Sequence, residues 1–158
     1  MKPEFVELSE PRDVRGLSVR TSNDRERAPE TAALPGLWGR FMGTPPADSD
    51  VNAPVFSVYT EYESDVNGAY TVVLGRERGR PSSSERTVRI PPGPYAVFTS
   101  SGEMPAAVIA GWEQVWRYFA EPAVPARAYT TDFEYYDPAE PSTVRIHIAV
   151  RDGGAKTR

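Results

Sequence analysis

The sequence predicts an α+β protein: a tandem, pseudo-two-fold duplication of a strand–helix–two-strand (β-α-β-β) module, with an antiparallel sheet and two main helices. Three observations carry this. Alternating, extended segments flank two amphipathic stretches in the same order twice over. The amphipathic stretches carry "WGRF" (38–41) and "WRYF" (116–119), each with Trp and Phe three residues apart. The strand after each holds a related run, "VYTEYE" (58–63) and "AYTTDFE" (128–134), if one inserted residue is allowed. Neither module could bury a sheet face well alone, so the two are expected to pack as one unit. That gives a single domain over 1–151, with one half at about 3–79 and the other at about 86–151.

In the first half, "FVELSEPRDVRGLSVR" (5–20) reads as a strand broken at Pro11. After a polar turn region, Leu34, Leu37, Trp38 and Phe41 recur at steps of three and four and predict a short helix over 31–42. "VFSVYTEYES" (55–64) and "AYTVVLGRER" (69–78) predict a strand pair, joined by a "DVNG" turn. "GRPSSSE" (79–85) is the expected linker between halves. In the second half, "RTVRIPPGPYAVFTS" (86–100) is again a strand with a proline kink. Val108, Trp112, Val115 and Phe119 line one face of a helix over 104–121, with Pro105 in its first turn, where a missing N–H costs nothing. "RAYTTDFEYYDP" and "TVRIHIAVR" close the half as a second strand pair, and 152–158 is expected to be a disordered tail.

Composition limits the function. The chain has 158 residues and a formal net charge of −4, without the basic stripe of a nucleic-acid binder, so no direct nucleic-acid binding is expected. There is no cysteine, which removes thiol catalysis, disulfides and thiolate metal sites. The N-terminus has no apolar signal-peptide core and no run reaches the length of a membrane span, so a cytoplasmic protein without membrane association is expected. His147 is the only histidine, too little for a catalytic triad or a metal site with repeated ligand spacing. No Gly-rich phosphate loop follows a strand, and no metal or cofactor is expected.

The informative stretch is "YTTDFEYYDP" (129–138). Alternation sets Tyr129, Thr131, Phe133 and Tyr135 on one side, and Thr130, Asp132, Glu134 and Tyr136 on the other. The second side has two readings. It could be a solvated ladder, with Asp132 and Glu134 paired to Arg145 and His147 of the next strand. Alternatively, Glu134 sits in an aromatic-walled cavity, where an organic cation would supply the charge that burial leaves unbalanced. Spacing alone favours the ladder. The internal echo puts Glu61 and Glu63 at comparable places in the first half. Seventeen Phe, Trp and Tyr residues exceed what a core of this size needs, and eight are tyrosines, suited to a pocket. The helix positions of Trp38 and Phe41 favour core, while Trp112, Tyr59 and Tyr95 are balanced between core and site.

Taken together, "GLWGRF" (36–41), "VYTEYESDVNGAYTVVLG" (58–75), "IPPGPYAVFTSSGEMPAAV" (90–108), "GWEQVWRYF" (111–119), "YTTDFEYYDP" and "VRIHIAV" (144–150) resemble the gyrase-inhibitor-like effector-binding family. These domains occur fused to AraC- and MerR-type transcription regulators and also alone, and the chain is most similar to the stand-alone, integron-associated branch. The resemblance implies a cleft between two modules that takes hydrophobic, often cationic, small molecules for sensing or sequestration. It maps the acidic ligand contact onto Glu134 and aromatic walls onto Tyr59 and Trp112, then Trp38, Phe41, Tyr95 and Tyr136. Because the chain carries no helix-turn-helix, a separate transcription-regulator partner is one expectation. Some relatives of the fold are hydrolases that open cyclopropane-containing natural products, which would make Glu134 catalytic. Asp132 gains nothing from either argument and is expected at the surface.

Overall fold

The computed structural model describes residues 3–43, 53–77, 86–122 and 124–151. The elements are β1 (Glu4–Leu8), β2 (Arg12–Ser22), α1 (Asn23–Glu26), α2 (Leu34–Gly43), β3 (Val55–Thr60) and β4 (Ala69–Arg76). They continue as β5 (Arg86–Ile90), β6 (Gly93–Ser101), α3 (Ala106–Phe119), β7 (Thr131–Tyr136) and β8 (Thr143–Ala149). The expected linker, the tail and most of the loop before β3 lie outside the described residues. The two long strands of the sequence reading divide at their prolines, because Pro11 and the Pro91-Pro92 pair cannot supply ladder N–H groups.

All strand pairs are antiparallel in one sheet of order β1-β6-β8-β7-β3-β4-β2-β5. Exchanging β1 with β5, β2 with β6, β3 with β7 and β4 with β8 turns this order into its own reverse. The duplication is therefore built into the topology. The edges are also linked. β1 pairs β6 from Glu4↔Val97 to Leu8↔Gly93, and β2 pairs β5 from Arg12↔Ile90 to Gly16↔Arg86. The segments 4–16 and 86–97 thus form one ribbon crossing from one edge of the sheet to the other, which forces the sheet to curl. Where β2 is flanked by both β4 and β5, Gly16 pairs Gly75, and a Cβ on either would fall within 2 Å of the opposing carbonyl oxygen.

One face of the curl holds a core drawn from every strand, including Val14, Phe56, Val58, Ile90, Tyr95 and Phe133. On the other face each helix covers its own half. Leu37 and Phe41 of α2 pack on Val72 and Leu74, and Val115 of α3 packs on Phe98, Ile146 and Ile148. β3 and β7 meet at the middle of the strand order, between the two helices. Among the described residues no helix is long and apolar enough to cross a membrane.

His147 and Arg145 pair directly with Phe133 and Tyr135, so they share the inner face with those rings and do not meet Asp132 or Glu134. The solvated-ladder reading fails on this register. His147 stacks on Phe133 with centroids 4.2 Å apart and planes 14° off parallel. Burial is the main reason its pKa is pushed down to about 4, opposed by a contact with the Arg145 carbonyl. The folded protein therefore takes up this proton less readily than the unfolded chain. The stability held by the neutral ring is complete above the unfolded value near 6.5 and is lost as pH falls toward 4. Urea unfolding at pH 7 and pH 4.5 is expected to show a loss for the native chain that exceeds that of His147→Phe by on the order of 2 kcal/mol. Parallel pH profiles for the two proteins would refute this account.

Candidate functional site: an aromatic cavity over the central strand seam

The β3–β7 pairing runs from Val55↔Tyr136 to Thr60↔Thr131. Partners across an antiparallel pair share a face, so Val55, Ser57, Tyr59, Asp132, Glu134 and Tyr136 all point to the helix side. There Val55, Tyr59, Glu134 and Tyr136 line a cavity of about 1220 Å³, larger than the usual ligand pocket of about 300–1,000 Å³. Trp38 from α2 and Trp112 from α3 wall it on opposite sides, with Tyr59, Tyr70, Glu134 and Tyr136 between them.

α2 is fixed at its start by Glu26. That carboxylate accepts the N–H groups of Ala33 at 2.7 Å and Leu34 at 3.3 Å and the Thr21 hydroxyl at 2.6 Å. Such capping satisfies donors at the helix start that have no partner within the helix and favours a negative charge there. Trp38 then leans edge-on against Tyr136, centroids 5.2 Å apart. Trp112 packs at 5.2 Å against Tyr59, which in turn packs on Tyr70.

Glu134 is 1% exposed. Its Oε2 accepts hydrogen bonds from the Tyr59 hydroxyl and the Trp112 indole N–H, both at 2.7 Å, and its Oε1 accepts from the Tyr136 hydroxyl at 2.5 Å. All three donors are neutral. Its cross-strand neighbour is Ser57, small enough to leave the carboxylate room. Burial raises the pKa of Glu134, and the three hydrogen bonds oppose that rise. Burial and the adjacent carboxylate also hold the Tyr59 and Tyr136 hydroxyls well above their ordinary value, which keeps both as donors.

Asp132, expected at the surface, is fully buried. It ion-pairs with Arg127 Nη2 at 2.8 Å, accepts the Ala149 N–H at 2.8 Å and accepts a short hydrogen bond from Tyr62. The physical reason is that it shares the helix side with Glu134, where Arg127 and Tyr62 close over it. The echo also mislaid the first-half acids. Glu61 and Glu63 are exposed beyond the end of β3; Glu61 has a positive φ and pairs with Arg86, which holds its pKa down at about 2.

Tyr59, Trp112, Trp38, Tyr136 and Glu134 are brought together; Phe41 and Tyr95 are not. Phe41 is buried behind α2, under the Arg76 guanidinium. Tyr95 lies on the inner face against Phe133, its hydroxyl donating to the Pro91 carbonyl at 2.6 Å. Tyr62, Tyr70 and Arg127 also line the cavity, and the sequence reading did not single them out. Tyr70 alternates with Val72 and Leu74 on β4, a signal that was present; Arg127 lies outside any named strand or helix and gave none.

Walled by aromatic rings over the seam of a duplicated α+β fold, this cavity has the size of a small-molecule site. Residues 6–150 match the family model described as Cass2, integron-associated effector binding protein, and the chain belongs to this family. The integron cassette protein VCH_CASS2, from the mobile metagenome of Vibrio cholerae, is similar at 38% identity, with a TM-score of 0.87 over 96% of this chain and 97% of that one. A Bacillus subtilis (strain 168) protein named "Putative transcriptional regulator protein YobU" is 31% identical over 146 residues, 85% of this chain and 88% of that one. SAV2435, solved bound to tetraphenylphosphonium, shares the fold at 16% identity and a TM-score of 0.71, over 99% of this chain and 98% of that one.

Tyr136→Phe removes the donor on Oε1 without emptying the wall. We expect the Glu134 pKa to rise further and stability at pH 7 to fall by about 1–2 kcal/mol, the cost of an unmade hydrogen bond to a buried charge. Carbon-13 titration of labelled glutamate together with urea unfolding measures both. An unchanged Glu134 titration would show that Tyr136 does not hold the carboxylate.

Proposed function

We propose that the chain binds hydrophobic organic cations in this cavity, for sensing or sequestration, with Glu134 as the counter-charge. The observation that carries this reading is a fully buried carboxylate held by three neutral donors. Those donors lower the cost of burial without balancing the charge. A cation entering between Trp38 and Trp112 would supply the balance while meeting ring faces that attract it.

The mouth supports an apolar ligand body. Six large hydrophobic side chains are exposed among the described residues, and five of them, Met42, Val66, Met104, Ile109 and Trp116, line this cavity. Exposed apolar area gathered at one opening marks a binding surface. The regulator name of the Bacillus relative is consistent with a role in which ligand occupancy is read by a separate partner protein.

Tetraphenylphosphonium, the ligand of the fold relative SAV2435, is the first probe, followed by tryptophan fluorescence because the Trp112 indole touches Glu134. Glu134→Gln keeps the shape and removes the charge. It is expected to weaken cation binding by at least tenfold while leaving the melting temperature equal or higher, since the empty site no longer holds an unbalanced charge. Native affinity should also fall as pH is lowered through the raised titration of Glu134, with the variant flat. Equal affinity for the two proteins would refute the proposal. Glu134-dependent consumption of a cyclopropane-bearing compound would instead place the chain among hydrolases.

A further inference from the structure

A carboxylate accepts hydrogen bonds at about four positions, two on each oxygen. On Glu134 three of these are filled from within the chain. Tyr59 and Trp112 both donate to Oε2, and Tyr136 donates to Oε1. One position on Oε1 is left for a ligand. The other acids that line the cavity do not add to this floor. Glu26 is taken up by the start of α2, and Asp65, Asp137 and Glu140 stand half-buried or exposed on connecting segments. The phenol oxygens of Tyr59 and Tyr136 remain, and a neutral oxygen is a weaker acceptor than a carboxylate.

The floor thus carries one whole charge but has room for one N–H, and this inequality sorts cations. A quaternary ammonium or a phosphonium has no N–H and brings charge alone. A tertiary ammonium has one, which matches the open position. A primary ammonium has three and a guanidinium five, so most of their donors would leave water for a cavity walled by Trp38 and Trp112. A donor buried without an acceptor costs more than burying one methyl group gains.

We propose that Tyr59, Trp112 and Tyr136 form a specificity filter: by filling acceptor positions of Glu134, they restrict the site to organic cations with at most one N–H. The proposal deepens the reading of Glu134 as the counter-charge and rests on it. It narrows the ligand class to quaternary and tertiary ammonium, phosphonium and similar donor-poor cations. Tyr136 sets the count, since it shares Oε1 with the open position.

Four amines with one body test this on the full chain by calorimetry: 4-phenylbenzylamine and its N-methyl, N,N-dimethyl and N,N,N-trimethyl forms, all cationic at pH 7. The trimethyl form should bind about fourfold more tightly than the dimethyl form, the worth of one added methyl. From dimethyl to monomethyl to primary amine, affinity should fall at least tenfold per step, because each step adds an N–H that finds no acceptor. Tyr136→Phe opens a second position on Oε1. The monomethyl form should then come within about fourfold of the dimethyl form, while the step to the primary amine stays large. Three equal steps on the native chain overturn the filter and leave the Glu134 reading standing, as do steps that Tyr136→Phe does not change. Should that variant not fold, the native series decides alone. If none of the four binds, or Glu134→Gln binds them as tightly as the native chain, the Glu134 reading itself fails and the filter falls with it.

Discussion

The pairing of β3 with β7 is the contact on which the rest of this molecule depends. Among the described residues it is the only ladder near the centre of the sheet that joins the first half of the chain to the second, since the other cross-half pairings lie at the edges. The apolar stripes of α2 and α3 each pack on their own half. Only Trp38 and Trp112 reach from them over the seam, onto Tyr136 and Tyr59. A duplicated module thus places a cavity over its central seam, with connecting segments such as 65–67 and 137–141 completing its lining. The side chains that line this face come from both halves.

The symmetry of the backbone is not carried into the chemistry. At the seam Ser57 faces Glu134 and Tyr59 faces Asp132, so both acids come from β7, and β3 answers with a small residue and a donor. Two carboxylates within one strand step would repel strongly in a dry setting, and the structure separates their fates. One has an internal guanidinium, a backbone N–H and a phenol; the other has only phenol and indole donors. Burying the first is a structural expense already met within the chain, whereas the second is held by neutral donors.

Much of this was legible in the sequence, because it rests on local signals. Periodicity placed α2, α3 and the strand pairs, and prolines marked where the two long strands divide. The repeated Trp-Phe spacing pointed to a duplication that the strand order bears out. Register was the weak point. Matching "YTEYE" to "YTTDFE" by residue type aligned Glu63 with Glu134, while the ladder ends at Thr60 and leaves Glu61 in a left-handed turn. Which rings line the cavity was also illegible: Tyr95 and Tyr59 look alike in sequence, and only the parity of their pairing sends one to each face.

The error about Asp132 has a general physical content. Alternation had already put Asp132 and Glu134 on the same face, so any argument that buried one obliged the other to find a partner. The missing step was to ask which cation in the chain could serve. Arg127, five residues upstream in an irregular segment bounded by Pro125 and the left-handed Tyr129, carries no periodic signal and pairs only through a single bridge to Val150. Buried charges are thus a better guide to long-range structure than their local pattern suggests. Each one demands a compensating group, and the search for that group can be run over the whole sequence. Here such a search finds Arg127 for Asp132 and only phenol and indole donors for Glu134.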